Sequence, residues 1–182
     1  MMKKWIFILS GLLAIQLILT AAVTLTGEDY EAFQAEEKVL SFDKKEVDGL
    51  RIEDGTDSVS LKKQEGKWLL PESSDFPANQ SSVEQLLGKL ATLKKGWPVA
   101  KTRSALRRFK VDEEQFERKL VLLSGDEAQA TLYVGTSPGF RKVHIRPANG
   151  DEVYAVMFNT WDAAAKADEW IDKDVLTLEE SD

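Results

Sequence analysis

An uncharged, apolar stretch near the N-terminus constrains this chain more than any other feature. It runs from Trp5 to Leu25, 21 residues without an acidic or basic side chain. A helix of that length spans about 31 Å, which matches the hydrocarbon core of a bilayer. Two lysines precede the stretch and three acids follow it, and positive flanks face the cytoplasm. The pattern predicts a transmembrane anchor over residues 5–26, with residues 1–4 in the cytoplasm and the rest of the chain outside.

A cleaved signal peptide is the alternative interpretation of the same stretch. The apolar core of a signal peptide is about 7–15 residues long, which is shorter than this one, and Thr20-Ala21-Ala22 is a poor cleavage site. Residues 27–38 are polar and charged, which indicates a short stalk. Residues 39–178 then have the length of one ordinary domain. Residues 179–182 are expected to fray.

Cysteine is absent from the sequence. This excludes disulfides, thiolate metal sites, a cysteine nucleophile and a lipidated cysteine, so membrane attachment must come from the chain itself. The formal net charge is −7, and all 31 acidic residues follow the apolar stretch, whereas two of the 24 lysines and arginines precede it. Such an acidic surface repels nucleic acid, and we expect no nucleic-acid partner.

Short alternating segments in the first half predict β-strands. Val47–Glu53 and Ser58–Lys62 alternate apolar and polar residues, as half-buried strands do, and Asp54-Gly55 supplies the turn between them. Lys67–Leu70 continues the pattern, and Pro71 ends it.

One amphipathic helix follows these strands. Ser81 and Glu84 predict a capping box at its start, and Gly96 predicts its end. Apolar residues recur at three- and four-residue spacing, which gives the helix one face to bury. These residues are Val83, Leu86, Leu87, Leu90 and Leu93.

The second half contains four more short strands separated by turn clusters. The almost continuously apolar segment Val153–Phe158 is expected to be central and covered on both faces, and Thr160–Ala167 suits a short helix. The predicted fold class is α+β: an N-terminal transmembrane helix, then one domain of mostly antiparallel β-sheet with one long and one or two short helices. The four strands are Lys119–Leu123, Ala130–Gly135, Lys142–Arg146 and Glu152–Phe158.

The order of several segments resembles a known family. The segments are Gly66–Pro71 (GKWLLP), the helix VEQLLGKLATLK, Tyr133-Val134-Gly135, the hairpin HIRPANGDEVYAV and Asp172–Leu176 (DKDVL). Over roughly residues 40–178 the chain resembles the membrane-anchored bacterial family catalogued as domain of unknown function 4340. The resemblance implies an extracytoplasmic accessory role beside ABC transporters of the gliding-motility type and carries over no catalytic residues. Members are often longer, and a glycine is common where Lys110 follows Phe109.

The titratable residues form no catalytic motif. His144 is the single histidine, and strand alternation places it on one face with Lys142 and Arg146. A basic face repels a divalent cation, so we expect His144 to be an exposed strand residue rather than a ligand or a base. Glu113 and Glu114 suit a helix N-terminus, where negative charge is favourable. We therefore expect no enzyme activity, no metal and no cofactor.

The tryptophans leave two interpretations open. Trp5 belongs to the predicted anchor, and Trp68 and Trp161 fit the apolar faces of their elements. Trp97 and Trp170 are the two expected at the surface, where they would form a sugar-binding platform. Core packing is the favoured interpretation of most of these side chains.

A block of positive charge lies in the middle of the chain. No acid stands between Glu84 and Asp112, whereas eight lysines and arginines do. Such a block indicates a surface for an acidic protein, anionic lipid or anionic polymer, and the alternative is that its cations pair with the domain's own acids. The candidate partner-binding patch consists of Lys94, Lys95, Trp97, Lys101, Arg103, Arg107, Arg108 and Lys110.

Three functions follow from these observations. The favoured one is a non-enzymatic, membrane-anchored module, periplasmic or extracellular, that binds a protein in the same membrane or envelope, with an ABC transporter or envelope assembly as the candidate partner. The alternative is a domain that binds an anionic polymer or a sugar. The third is a hydrolase that uses two carboxylates, which must converge across a cleft.

Overall fold

The computed structural model describes residue 5 and residues 11–17 and 37–173. The chain divides into two units, Met1–Gln34 and Ala35–Asp182. In the first unit residues 11–17 are helical. Within the described ranges, no helix has both the length and the apolar character that crossing a bilayer requires.

Several predicted segments fall outside the described residues. These are most of the anchor over residues 5–26, residues 27–36 of the stalk and the tail over residues 179–182. Glu37 and Lys38, the last two residues of the predicted stalk, belong to the second unit. Lys38 forms a β-bridge with Lys94.

Within residues 37–173, nine strands form one sheet in the order β4-β3-β2-β1-β6-β7-β8-β9-β5. Every recorded pairing between these strands is antiparallel, which confirms the mostly antiparallel α+β domain. The strands are β1 (Gly49–Glu53), β2 (Ser58–Gln64), β3 (Lys67–Leu70), β4 (Phe76–Pro77), β5 (Pro98–Ala100), β6 (Arg118–Ser124), β7 (Glu127–Val134), β8 (Lys142–Pro147) and β9 (Val153–Met157).

The pairing of β1 with β6 joins the two halves of the domain. Leu50 lies opposite Leu122, so the strands of both halves form one continuous sheet. β6 is therefore the central strand, and its consecutive residues 120–122 are all buried. The expectation that Val153–Phe158 is central is wrong, because β9 is the eighth of nine strands and Met157 is 59% exposed.

Helix α1 (Gln80–Thr92) covers the first face of the sheet, and its predicted apolar residues are all buried. The predicted capping box is wrong. Asn79 caps the helix instead, accepting a hydrogen bond from the Ser82 N–H at 2.9 Å. Glu84 turns away to accept from the Trp68 indole at 3.3 Å and pairs with Lys44 at 2.8 Å. A buried indole N–H needs a hydrogen-bond acceptor. The Glu84 carboxylate therefore bonds to Trp68 rather than to the backbone at the start of α1.

A second layer covers the other face of the sheet over β7, β8 and β9. It consists of residues 101–117, which contain the six-residue helix α2 (Arg103–Arg108). Its apolar side chains form a separate core with the strands beneath. The buried members of that core are Leu106, Val111, Tyr133 and Val153.

Gly135, at the end of β7, is where the second layer approaches the sheet most closely. A Cβ built at Gly135 would overlap the carbonyl oxygens of Phe109 and Lys110. The Thr136 N–H donates to the Phe109 carbonyl at 2.9 Å and holds the two segments together. Only glycine permits this backbone contact.

We expect Gly135→Ala to lower the free energy of unfolding by about 3 kcal/mol, because backbone atoms cannot move aside as a flexible side chain can. Urea unfolding of the full chain, followed by tryptophan fluorescence, measures the loss. Gly88→Ala is the matched control. Gly88 lies in α1 with open space around it, so alanine should raise stability by about 0.5–1 kcal/mol. A Gly135→Ala protein as stable as the parent would contradict the close approach.

Candidate functional site

A groove of about 1000 Å³ opens between the end of α1 and the outer part of the sheet. The last turn of α1 and residues 93–96 form one wall, and residues 155–158 with the chain that follows form the other. Five cations and one carboxylate line the groove, so it is strongly basic. The cations are Lys89, Lys94, Lys95, Arg141 and Lys142, and the carboxylate is Asp162.

Backbone pairing fixes the wall that follows α1. The helix ends because Leu93 adopts an extended conformation with ψ of 120°. The Leu93 carbonyl then accepts from the Val39 N–H at 2.8 Å, and the Glu37 carbonyl accepts from the Lys95 N–H at 2.8 Å. These bonds hold residues 93–95 beside residues 37–39, so the positions of the two loop lysines are set by main-chain contacts.

Arg141, in the turn before β8, and Lys142, the first residue of β8, are two more cations of the groove. The Ser137 hydroxyl lies 2.8 Å from the Gly139 carbonyl oxygen and 2.7 Å from that of Lys142, which closes the turn. Phe140 is 85% exposed, and the Arg141 guanidinium lies 4.9 Å from its ring centroid. Arg141 has a φ of +57°, a left-handed conformation that costs a non-glycine residue about 1 kcal/mol. The turn is thus strained at the cation that faces the groove.

Only part of the charge in the groove is neutralised. Lys89 pairs with Asp162 at 2.7 Å, and Lys95 pairs with Glu37 outside the groove lining at 2.5 Å. Within the described part of the chain, three other lining cations form no ion pair. These are Lys94, Arg141 and Lys142.

Large apolar side chains are exposed around the same groove. Met157 lines it and is 59% exposed, and Trp97, one residue beyond the lining loop, is 71% exposed. With Phe140 they place two aromatic rings and a thioether beside the cations. Aromatic residues, methionine and arginine are enriched in protein interfaces, and a cluster of such exposed groups marks an interaction site.

The structure divides the predicted patch in two. Lys94 and Lys95 line the groove, and Trp97 lies next to it. The structure brings these three together with Arg141 and Lys142, which the sequence analysis did not select. The other five predicted residues lie in and around α2 on the second layer: Lys101, Arg103, Arg107, Arg108 and Lys110.

Two cations of the second layer pair closely with the domain's own acids, the alternative that the sequence left open. Lys101 lies 2.6 Å from Glu152, and Lys110 lies 2.7 Å from Glu117. The Lys101 ammonium and the Tyr154 hydroxyl both donate to Glu152 and hold the pKa of its carboxyl below the ordinary value. These two lysines therefore have part of their charge satisfied within the domain.

The arginines of α2 differ from one another. Arg107 is 3.8 Å from Glu114, an exposed pair that contributes little stability. Arg108 stacks over the Phe109 ring at 4.7 Å. Arg103 forms no ion pair within the described part of the chain. None of the three lines the groove.

The prediction that His144 is exposed is wrong. The second layer covers it, leaving it 7% exposed with its ring centroid 4.1 Å from that of Phe109 and Nδ1 2.9 Å from the Thr136 hydroxyl. Burial lowers the pKa of His144, a hydrogen bond to Thr136 opposes this, and the charge of Arg108 lowers it further. Within the described ranges His144 belongs to no cluster of metal-ligating side chains.

Arg146 is buried on the same face and is 4% exposed. Its Nε donates to the Val111 carbonyl at 2.8 Å, and one terminal nitrogen donates to the Gly150 carbonyl at 3.1 Å. Its guanidinium also lies 4.6 Å from the Tyr133 ring centroid. Arg146 therefore ties the second layer to the sheet and has a structural role.

Two of the tryptophan predictions fail. Trp170 is 3% exposed and donates to the Ala164 carbonyl at 2.8 Å, whereas Trp161 is 84% exposed. Both lie in short 3-10 helices, Thr160–Ala163 and Ala167–Trp170, where the sequence predicted one helix over Thr160–Ala167. Trp68 is fully buried and Trp97 is exposed, as predicted. The predicted pair of surface rings, Trp97 and Trp170, does not form.

Sequence reasoning missed Phe140, Arg141, Lys142 and Met157. Their charges and rings join Lys94 only through the fold, since β8 and β9 return beside the end of α1. One signal was available: Phe140 directly follows the turn cluster Ser137-Pro138-Gly139, where a large aromatic residue has no strand or helix face to bury.

Residues 68–182 match the family model described as domain of unknown function (DUF4340). The chain belongs to this family. The match confirms the resemblance seen in the sequence, although it begins at Trp68 rather than near residue 40, so β1 and β2 of this DUF4340 protein precede it. No curated protein and no solved structure matches the chain.

Lys110 adopts a backbone conformation that favours glycine. It follows Phe109 at the end of α2 with a φ of +54°, and the Val111 N–H donates to the Leu106 carbonyl at 2.9 Å. This is the left-handed termination in which glycine is the usual residue. The side chain of Lys110 also forms an ion pair with Glu117.

We expect Lys110→Ala to be about 1 kcal/mol less stable than Lys110→Gly, because both lose the ion pair and only alanine keeps the left-handed strain. Thermal unfolding of Lys110→Ala and Lys110→Gly, compared directly, measures the free-energy cost of the left-handed backbone at residue 110. Equal stability would show that the strain at Lys110 is absent in solution.

We expect His144 to titrate below its ordinary pKa of about 6.5. The unfolded chain then binds the proton more readily than the folded one, so the contribution of His144 is present above pH 6.5 and is lost as pH falls through the folded pKa. The imidazole resonance of the single histidine gives the pKa directly by proton NMR. His144→Gln should remove the decline in unfolding free energy that begins as the pH falls below about 6.5.

The acidic groups provide an internal control for this measurement. Hydrogen bonds hold the pKa values of Asp54, Glu84 and Glu152 below their ordinary values. Their contribution is lost only at more acidic pH, and His144→Gln should leave that loss intact. A His144 pKa at or above 6.5 would contradict its burial.

Proposed function

We propose that this DUF4340 protein is a non-enzymatic module that binds another protein through the basic groove. Residues 5–26 anchor it in a membrane in this proposal, with the domain on the extracytoplasmic side. The partner is a subunit of an ABC transporter or of another envelope assembly. The charges that flank the apolar stretch support the orientation, and the family resemblance supports the accessory role.

The observation that carries this proposal is the set of cations without ion pairs in the groove. Lys94 is far in sequence from the neighbours Arg141 and Lys142, yet all three line one groove beside Met157. Like charges held close together repel, and an acidic partner relieves that repulsion when it binds. The exposed apolar side chains add area to bury in the same contact.

If the protein is anchored in the membrane, even a weak contact at the groove is sufficient for binding to a partner in that membrane. Two proteins held in one membrane meet at a high effective concentration, so binding needs little affinity of its own. The alternative function, binding of a sugar or anionic polymer, loses one of its two predicted rings because Trp170 is buried. Binding to protein is therefore the better supported function.

Site-specific photo-cross-linking of the full chain in its own cells tests the proposal. A cross-linking amino acid in place of Trp97 or Met157 should give one discrete protein adduct. The same group in place of Ser58, exposed at the start of β2, should give none. The adduct should stay in membranes washed with alkaline carbonate if residues 5–26 form the anchor.

Two charge-reversed pairs separate the groove from the second layer. Lys94→Glu with Lys142→Glu should reduce the adduct at least tenfold, equivalent to about 1.4 kcal/mol. Arg103→Glu with Arg107→Glu makes the same change in net charge on α2 and should leave the adduct within about twofold. Equal adducts from Ser58 and Trp97, or retention on an anionic polysaccharide without any protein adduct, would overturn the proposal.

A further inference from the structure

The outer edge of β9 is only partly covered. On one side β9 pairs with β8 from Tyr154 to Met157. On the other side β5 reaches only Val153 and Tyr154, through Ala100 and Pro98. Within the described part of the chain, no strand pairs with that side of β9 at residues 155–157. This uncovered edge is the wall of the groove.

The register shows which main-chain groups face outward. The Phe158 N–H donates to the Arg141 carbonyl, so the main-chain groups of Phe158 and Val156 point toward β8. The groups of alternate residues in a strand point to opposite sides. The N–H and C=O of Met157 therefore point into the groove, where another strand can accept and donate hydrogen bonds.

The side chains around Met157 determine which residues an added strand should carry. Lys94 stands on the facing wall, and Lys142 lies directly opposite Met157 in the β8–β9 pairing. A strand that enters between them meets lysines and exposed apolar groups but, apart from Asp162, no carboxylate of the lining. An incoming segment with acidic side chains would therefore match the positive charge of the groove lining.

We infer that the groove binds an extended acidic peptide segment of a partner protein, which pairs with β9 at Met157 as an added strand in line with β5. Main-chain hydrogen bonds supply affinity, and the lysines select acidic side chains. Apolar residues alternating with the acids cover Met157. The inference rests on the proposed function and specifies what the groove recognises in its partner.

A synthetic peptide tests the inference. A fluorescent peptide of about seven residues that alternates glutamate and valine should bind the full chain, and the lysine–valine peptide should not. A glutamate–valine peptide with alternate amides N-methylated keeps every side chain but cannot pair as a strand, so it should bind at least tenfold more weakly. Amide hydrogen exchange at Met157 should slow when the first peptide binds.

Two substitutions at Met157 separate main-chain pairing from side-chain contact. Met157→Pro removes the outward N–H, which β8 does not use, and proline is tolerated on such an edge. It should weaken the peptide at least tenfold. Met157→Ala removes the thioether but keeps the N–H, and should weaken it no more than about threefold. Unchanged thermal unfolding of both variants shows that β9 is intact.

The outcomes distinguish this inference from the function on which it rests. Cross-links at the groove that survive Met157→Pro leave the protein-binding function standing and overturn strand addition. Equal binding of the acidic and the N-methylated peptides also overturns it. Self-association of the chain that blocks the peptide would identify a second copy as the occupant and overturn a separate partner. If no peptide binds, strand addition is wrong. The lysines would then serve only to keep the open edge of β9 from aggregating.

Discussion

The backbone contact between Gly135 and the turn at Phe109–Lys110 is the point on which the arrangement of this domain depends. A sheet with apolar residues on both faces needs two covers, and α1 provides only one of them. Residues 101–117 provide the second, and they can lie flat on β7 only because Gly135 has no side chain. The burial of His144 and Arg146 follows directly from that contact.

Local periodicity predicted the elements whose environment is local. The apolar face of α1 and the strand Lys67–Leu70 agree with the structure because each buries one regular face. The same reasoning failed for His144, since a layer from a distant part of the chain covers its face. It failed for Glu84, whose carboxylate serves Trp68 and Lys44 rather than the helix end. In each failure a contact remote in sequence decides the outcome.

The candidate site shows why a run of charge along a sequence is not a surface. The acid-free stretch passes from the groove, at Lys94 and Lys95, to the second layer, where Lys101 and Lys110 find acidic partners. The cations that complete the groove are Arg141, in the turn before β8, and Lys142, the first residue of β8. Their convergence depends on strand order, which no spacing within one segment records.

The pairing of β1 with β6 determines when this domain can become stable during its synthesis. Leu50 meets its neighbour Leu122 only after the intervening chain has been made, which takes roughly 4–14 s at about 5–20 residues per second. Until then β1, β2 and α1 hold half a sheet whose inner edge is unpaired and prone to association. Non-local pairing of this kind also slows folding. The first half of the sheet thus exposes its unpaired edge until the central strand β6 has been made.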